Sequence, residues 1–311
     1  MNDRAPARPI TLSIAAVERD TGLSKDTLRV WERRYGFPVP ERGGLSERAY
    51  PLEQVEKLRI IKRLIDGGHR PGRIVDRSLA ELQQLSDSSV GSPQASHAVA
   101  AVPDLRHYLD LMRAHDVDAL RRQLGQAQLR LGLGRFVIEV LVPLNLLVGD
   151  AWMRGQLEIF EEHFYTESVQ IILRSAIHSA TAADASTRPR VLLTTFPNEA
   201  HGLGLLMAEA LLLVEGCKCT SLGVQTPIWD IALAAAAQRS DIVALAFTAV
   251  LTPAVVVEGL AELREKLAPG VELWAGGAAP VLHRRPTAGV TALGSLSQIA
   301  TEVRRWRAAR A

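Results

Sequence analysis

Cysteine is nearly absent from the sequence. Cys217 and Cys219 are the only two in 311 residues, too few for a disulfide framework or a zinc site. Their alternation suits a strand carrying two reduced thiols, as in a cytoplasmic protein. Long apolar runs are lacking too. The longest, such as Leu203–Val214, is interrupted by Glu209 and too short to span a bilayer, so no membrane partner is expected. The opening MNDRAPARPI has no apolar core, which argues against a secretory leader. Nor is there an excess of one charge: 36 Lys+Arg against 34 Asp+Glu leave a net +2. What remains is an ordinary globular composition, 47% hydrophobic and 23% charged, with length for roughly two or three domains.

The charge is unevenly placed. Met1–Leu85 carries 16 basic and 12 acidic residues, the remainder 20 and 22. A basic excess confined to the first quarter is expected of a small N-terminal domain that meets nucleic acid. Residues 86–102, SDSSVGSPQASHAVAAV, have no periodic apolar face and read as a linker. Across 103–186, four segments place apolar residues at three- and four-residue intervals: DLRHYLDLMRAHD, DVDALRRQLGQAQLRLG, GRFVIEVLVPLNLLVGDAW and FEEHFYTESVQIILRSAIHSA. They predict a four-helix bundle. Over 187–311, the short β-rich runs RVLLTTF, CKCTSLGV, DIVALAFTAV, VELWAGG and GVTAL alternate with helical stretches. That alternation predicts a parallel sheet in a flavodoxin-like (Rossmann-like) α/β domain, with ligands outside the carboxyl ends of the strands. The chain is therefore multidomain, α and α/β.

In the 1–85 segment, TLSIAAVERDTGLSKDTLRVWERRYGF reads as two helices around a tight turn. Ser13 caps the first and Gly22 ends it; Ser24 caps the second, whose apolar side is Leu28, Trp31 and Tyr35. Lys25, Arg29 and Arg33 recur every four residues on one side, placed to reach bases or phosphates in a major groove. VPERGGLSERAYPLEQVEKL follows as a Gly-rich hairpin, a wing with Arg42, Arg48 and Tyr50 as further DNA contacts. Helix pair, ERAY and LEQVEKLRIIKRLIDGGHRPGRIV together resemble the MerR-type winged helix-turn-helix, which implies double-stranded operator DNA as partner.

In the C-terminal segment, Glu199-Ala-His201-Gly-Leu-Gly204 lies at a strand's end just before a helix. An imidazole there can offer one nitrogen to a metal while the carboxylate holds the other. Thr248-Ala-Val250 ends the third strand and Gly276-Gly277 the fourth, where glycines let a bulky ligand approach. This order resembles the cobalamin-binding domain, with Glu199 where its enzymes carry Asp and Thr248 where Ser is usual. The resemblance implies His201 as the ligand beneath cobalt, with Glu199, Gly204, Thr248, Val250, Gly276 and Gly277 around the cofactor. Trp152, then Glu162-His163 after nine residues, resembles a signature of the light-sensing CarH/LitR regulators, whose helical bundle caps the corrin. By that likeness Trp152 covers the adenosyl group, with Glu162 and His163 near its polar edge.

The implied function is a repressor using adenosylcobalamin as cofactor, with light changing a homo-oligomer, dimer or tetramer, and its grip on the operator. Met153 departs from the pattern, since the family carries a His at that position; a second imidazole above the cobalt would have to come from His163, or water takes the place. Two other readings stay open: a MerR-like regulator sensing a different ligand or none, and a corrinoid module of a methyltransferase. The second lacks the additional catalytic domain such enzymes carry, so no enzymatic activity is expected.

Overall fold

The computed structural model describes residues 11–42, 48–66, 69–88, 105–180 and 187–310. Its contacts gather into two compact units, Met1–Ser96 with Asp150–Gln156, and His97–Gly149 with Leu157–Ala311.

In the first unit, β1 (Thr11–Ser13) runs into α1 (Ile14–Thr21), then α2 (Lys25–Tyr35), β2 (Glu41–Arg42), β3 (Arg48–Pro51), α3 (Leu52–Asp66) and α4 (Leu79–Ser88). The caps fall where the sequence puts them. Ser13 accepts from Ala16 N, and Gly22 ends α1 at φ 70° with its N–H on Glu18 O at 2.9 Å. Ser24 accepts from Thr27 N at 3.1 Å and opens α2. The strands form an antiparallel sheet in the order β1-β3-β2. Leu28 and Trp31 of α2 pack with Val17, Leu58 and Ile61, and each fully buried aliphatic side chain there contributes roughly 1.5–3 kcal/mol. Arg59 on α3 forks onto Asp20 at 2.9 and 2.8 Å, fastening α1 to α3. Helix α4 extends to Ser88, three residues into the expected linker; the rest of that linker and the wing tip 43–47 lie outside the described residues.

The second unit opens with four helical segments. They are α5 (Arg106–Arg113); α6 (Val117–Leu131), capped by Asp116 on Ala119 N; α7 (Leu133–Arg135) continuing into α8 (Val142–Met153); and α9 (Ile159–Ala180). Between α7 and α8 lies a π-helical stretch, Phe136–Leu141, which apolar periodicity alone does not reveal. Leu133–Met153 taken whole is long and apolar enough to cross a membrane by length and composition. Here Phe136, Val137, Val140, Leu141 and Leu144 are buried in the fold.

The sheet is built from β4 (Arg190–Thr194), α10 (Leu203–Val214), β5 (Lys218–Ser221), α11 (Ile228–Ala237), β6 (Ile242–Phe247), α12 (Pro253–Lys266), β7 (Glu272–Gly277), α13 (Val281–Arg284), β8 (Val290–Leu293) and α14 (Ile299–Ala308). All five strands are parallel in the order β5-β4-β6-β7-β8, the doubly wound flavodoxin-like arrangement. Strand order reverses beside β4, so the loop leaving β4 opens into the crevice where such folds bind ligands. Cys217 and Cys219 are both free thiols; burial pushes Cys217 up to about 12 and raises Cys219 as well, which leaves neither reactive.

Candidate functional site

The β4–α10 loop begins with Phe196-Pro197-Asn198-Glu199. Glu199 N donates to Phe196 O at 3.1 Å, and Asn198 stands at φ 66°. Proline second and asparagine third, at positive φ, is the chemistry of a type II turn. The turn aims Glu199 inward, where it is fully buried. Each carboxylate oxygen then collects two donors. Oε1 accepts from His201 Nδ1 at 2.7 Å and from His201 N at 3.1 Å; Oε2 accepts from Thr248 N at 2.8 Å and Thr248 Oγ1 at 2.7 Å. Burial alone would raise the Glu199 pKa, but the bonds from His201 and Thr248 outweigh it and hold the carboxyl at about 2. A carboxylate on Nδ1 fixes the imidazole tautomer with its acceptor lone pair on Nε2, and the His201 side chain is 60% exposed. Leu222, Val224 and Val250 surround these strand ends as exposed apolar side chains.

The sequence does not mark what holds this loop in place. Thr195, fully buried, donates to Glu199 O at 2.6 Å and accepts from Gln225 N at 2.8 Å. Thr194 bonds Gly223 O and the Thr226 hydroxyl. Two adjacent hydroxyls thus tie the β4–α10 loop to the β5–α11 loop. Beneath them Phe196 stacks edge-on against Phe247 at 5.1 Å and against Gly259 of α12, where a Cβ would meet the ring at 2.6 Å. Only a TT pair and a mid-helix glycine signal this, and neither is distinctive in a sequence.

The expected glycines differ. At Gly277, φ is +115° and a Cβ would stand 2.1 Å from Phe247 O, so only glycine fits. A Cβ on Gly276 would make ordinary contact with Leu293, and one on Gly204 would meet open space. In the bundle, Glu162 ends the first turn of α9 and His163 begins the second: His163 Nδ1 lies 2.7 Å from Glu162 Oε2, and Thr166 donates to Glu162 Oε1 at 2.5 Å. Buried Glu161 pairs with His115 at 3.0 Å and caps Glu158 N. Tyr165 donates to Asn145, whose amide reaches Met207 Sδ of α10, so bundle and sheet domain are joined within one unit. The structure brings Glu199, His201 and Thr248 together. Trp152, in the last turn of α8, belongs to the other unit, and Met153 packs against the winged-helix core.

On the winged helix, Lys25 pairs with Glu18 at 3.4 Å, Arg29 with Asp26 at 3.2 Å and Arg48 with Glu32 at 3.1 Å; Arg33 is exposed and donates to Arg29 O. The Arg42 side chain lies outside the described residues. Tyr50 corrects an expectation: it is not a DNA contact but is fully buried in the core, because β3 turns its ring inward against α2 and α3.

Comparison with known proteins matches two parts of the chain, residues 12–77 to the MerR HTH family regulatory proteins and residues 105–175 to the B12 binding domain. The HTH-type transcriptional repressor CarH of Myxococcus xanthus is 32% identical over 85% of this chain and 87% of its own. The chain belongs to the CarH family. A second relative in that family, the HTH-type transcriptional repressor CarA of the same organism, is 30% identical over 78% of this chain and 79% of its own. The Methanosarcina barkeri monomethylamine corrinoid protein superposes over 65% of this chain and 96% of its own, with a TM-score of 0.50 at 14% identity, a likeness of fold alone. As a CarH-family member, this protein is a DNA-binding, B12-binding transcriptional regulator, not an enzyme.

Proposed function

We propose that this CarH-family protein is a cytoplasmic repressor whose operator binding is set by adenosylcobalamin and light. One observation carries the reading: a single imidazole at the sheet's switch point, its Nδ1 held by a buried carboxylate ionised well below neutral pH. That donor set fits cobalt. A neutral, oriented nitrogen backed by a carboxylate is the usual arrangement for a metal-ligating histidine. The apolar side chains at the strand ends and the close approach at Gly277 suit a flat, bulky ring system with a tail. When bound, adenosylcobalamin supplies a cobalt–carbon bond that visible light breaks.

In this proposal the chain's residues divide the work. His201 would be the residue that holds the cobalt, with Glu199 and Thr248 orienting its imidazole; Gly204, Val250, Gly276 and Gly277 would give room for the ring and its tail. Trp152 would shield a bound adenosyl group from water, and Glu162 and His163 would offer it polar contacts. Lys25, Arg29, Arg33, Arg42 and Arg48 meet operator DNA. A dimer or tetramer links several winged helices, so a modest change in assembly becomes a large change in avidity.

The test is the absorbance of protein incubated with adenosylcobalamin in darkness and then under green light, with size-exclusion and operator binding alongside. We expect a retained, coloured complex whose spectrum, size and DNA affinity change on illumination. His201→Ala should weaken retention by more than the roughly 10–100-fold that loss of an orienting partner costs. A chain that stays colourless belongs to a regulator with another ligand; a coloured chain indifferent to light binds cobalamin without using it as a photoreceptor.

A further inference from the structure

At the opposite end of the sheet, the amino end of the strands, a cavity of about 310 Å³ opens beside edge strand β5 and the end of α11. Its floor is Val191 and Ser240, both buried. Its walls carry three cations, Arg190, Lys218 and Arg239, with Thr220 and Gln238 as neutral hydrogen-bonding groups; no acid lines it. Strand alternation explains the convergence. Arg190 and Lys218 are register partners on β4 and β5, and Thr220 follows Lys218 on the same face.

The ordinary explanation for cations at a helix's carboxyl end is that they satisfy its last carbonyls. Here three of the last four carbonyls are already engaged: Gln238 N donates to Ala234 O, Ser240 N to Ala235 O and Arg239 N to Ala236 O, at 2.9–3.1 Å. Among the described residues, neither Lys218 nor Arg239 has an ion-pair partner. Arg239 also occupies the left-handed position after the helix, at φ 51°, where glycine is the default. A cation stands at a position whose backbone favours a residue without a side chain.

We infer that this cavity is a binding site for a small phosphorylated anion, separate from the site at the carboxyl ends of the strands. The volume lies at the lower end of the range for small-molecule sites and exceeds what a lone ion needs. Two guanidinium forks and an ammonium converging with a hydroxyl and an amide match phosphate oxygens. The inference does not depend on how the protein uses cobalamin.

Isothermal titration of the full chain with pyrophosphate, inorganic phosphate and succinate tests it. The phosphates should bind saturably at one site and succinate more weakly. Lys218→Gln and Arg239→Gly should each weaken pyrophosphate about tenfold. Arg239→Gly should melt no lower than the unaltered chain, since glycine relaxes that backbone position, so its lost affinity would not be lost folding. Pyrophosphate affinity should be the same with cobalamin added. Absence of saturable binding, unchanged affinity in both variants, a preference for succinate, or displacement by cobalamin would each overturn the assignment.

Discussion

Replacing Glu199 by Gln keeps size and shape and removes one thing, an oxygen that accepts two hydrogen bonds. Whichever oxygen becomes NH2, it faces two donors: His201 Nδ1 and His201 N, or Thr248 N and Thr248 Oγ1. A hydroxyl can rotate and an imidazole can change tautomer, but a backbone N–H can do neither. One part-buried amide therefore loses its acceptor in either orientation, at about 1–3 kcal/mol. Linkage gives a second route to the magnitude. The Glu199 pKa is lowered from 4.5 to about 2, so the ionised carboxylate contributes about 3 kcal/mol, present above pH 4.5 and lost as pH falls toward 2. The two routes agree on about 2–3 kcal/mol. That corresponds to a fall in melting temperature of about 4–12 °C at pH 7 for a unit of this size. Near pH 2 the difference between variant and parent should shrink. If the amide NH2 faces His201, the imidazole accepts at Nδ1 and carries its proton on Nε2, which blocks metal binding there. Thermal melts from pH 7 to pH 2, with cobalamin titrations by absorbance, are the assays. A Glu199→Gln protein that melts within about 1 °C of the parent and holds cobalamin equally well would refute this account.

Thr195→Val should destabilise by about 1–2 kcal/mol and loosen cobalamin binding, because the buried Glu199 O and the part-buried Gln225 N lose their partner, while Thr195→Ser should restore both by melting and titration. Tyr50→Phe should be as stable as the parent or slightly more so, with unchanged operator affinity, because the buried hydroxyl has no partner among the described residues; a tenfold loss of DNA binding would contradict this. Gly277→Ala should cost more than about 3 kcal/mol and show as a large drop in melting temperature or in soluble yield, since the methyl meets the Phe247 carbonyl.

What was legible in the sequence is what is local. Ser13, Gly22 and Ser24 declare the helix-turn-helix because a cap acts within three or four residues of itself. The strands from Arg190 to Leu293 alternate with helices at spacings that leave little choice of architecture. Glu199 and His201 are two residues apart, so their pairing could be anticipated, and Thr248 was reachable through the family likeness. Arg59 on Asp20, Thr195 on Gln225 and Gly259 under Phe196 join residues 30 to 63 positions apart, and no periodicity encodes such meetings. Tyr50 was misread because an aromatic at a hairpin's end looks the same whether it faces outward or in. The grouping of Asp150–Gln156 with the winged helix depends on tertiary contacts alone.

The π-helical stretch at Phe136–Leu141 has a bearing on the helix beyond it. A wide turn of this kind acts as a one-residue insertion, and each residue in a helix is worth about 100° of rotation. Shortening the stretch by one residue would swing Asn145 away from Tyr165 and carry Trp152 a quarter-turn or more around the axis. The angular setting of everything from Val142 to Met153 is thus kept by a few wide hydrogen-bonded turns upstream, like the offset of a key cut before its teeth.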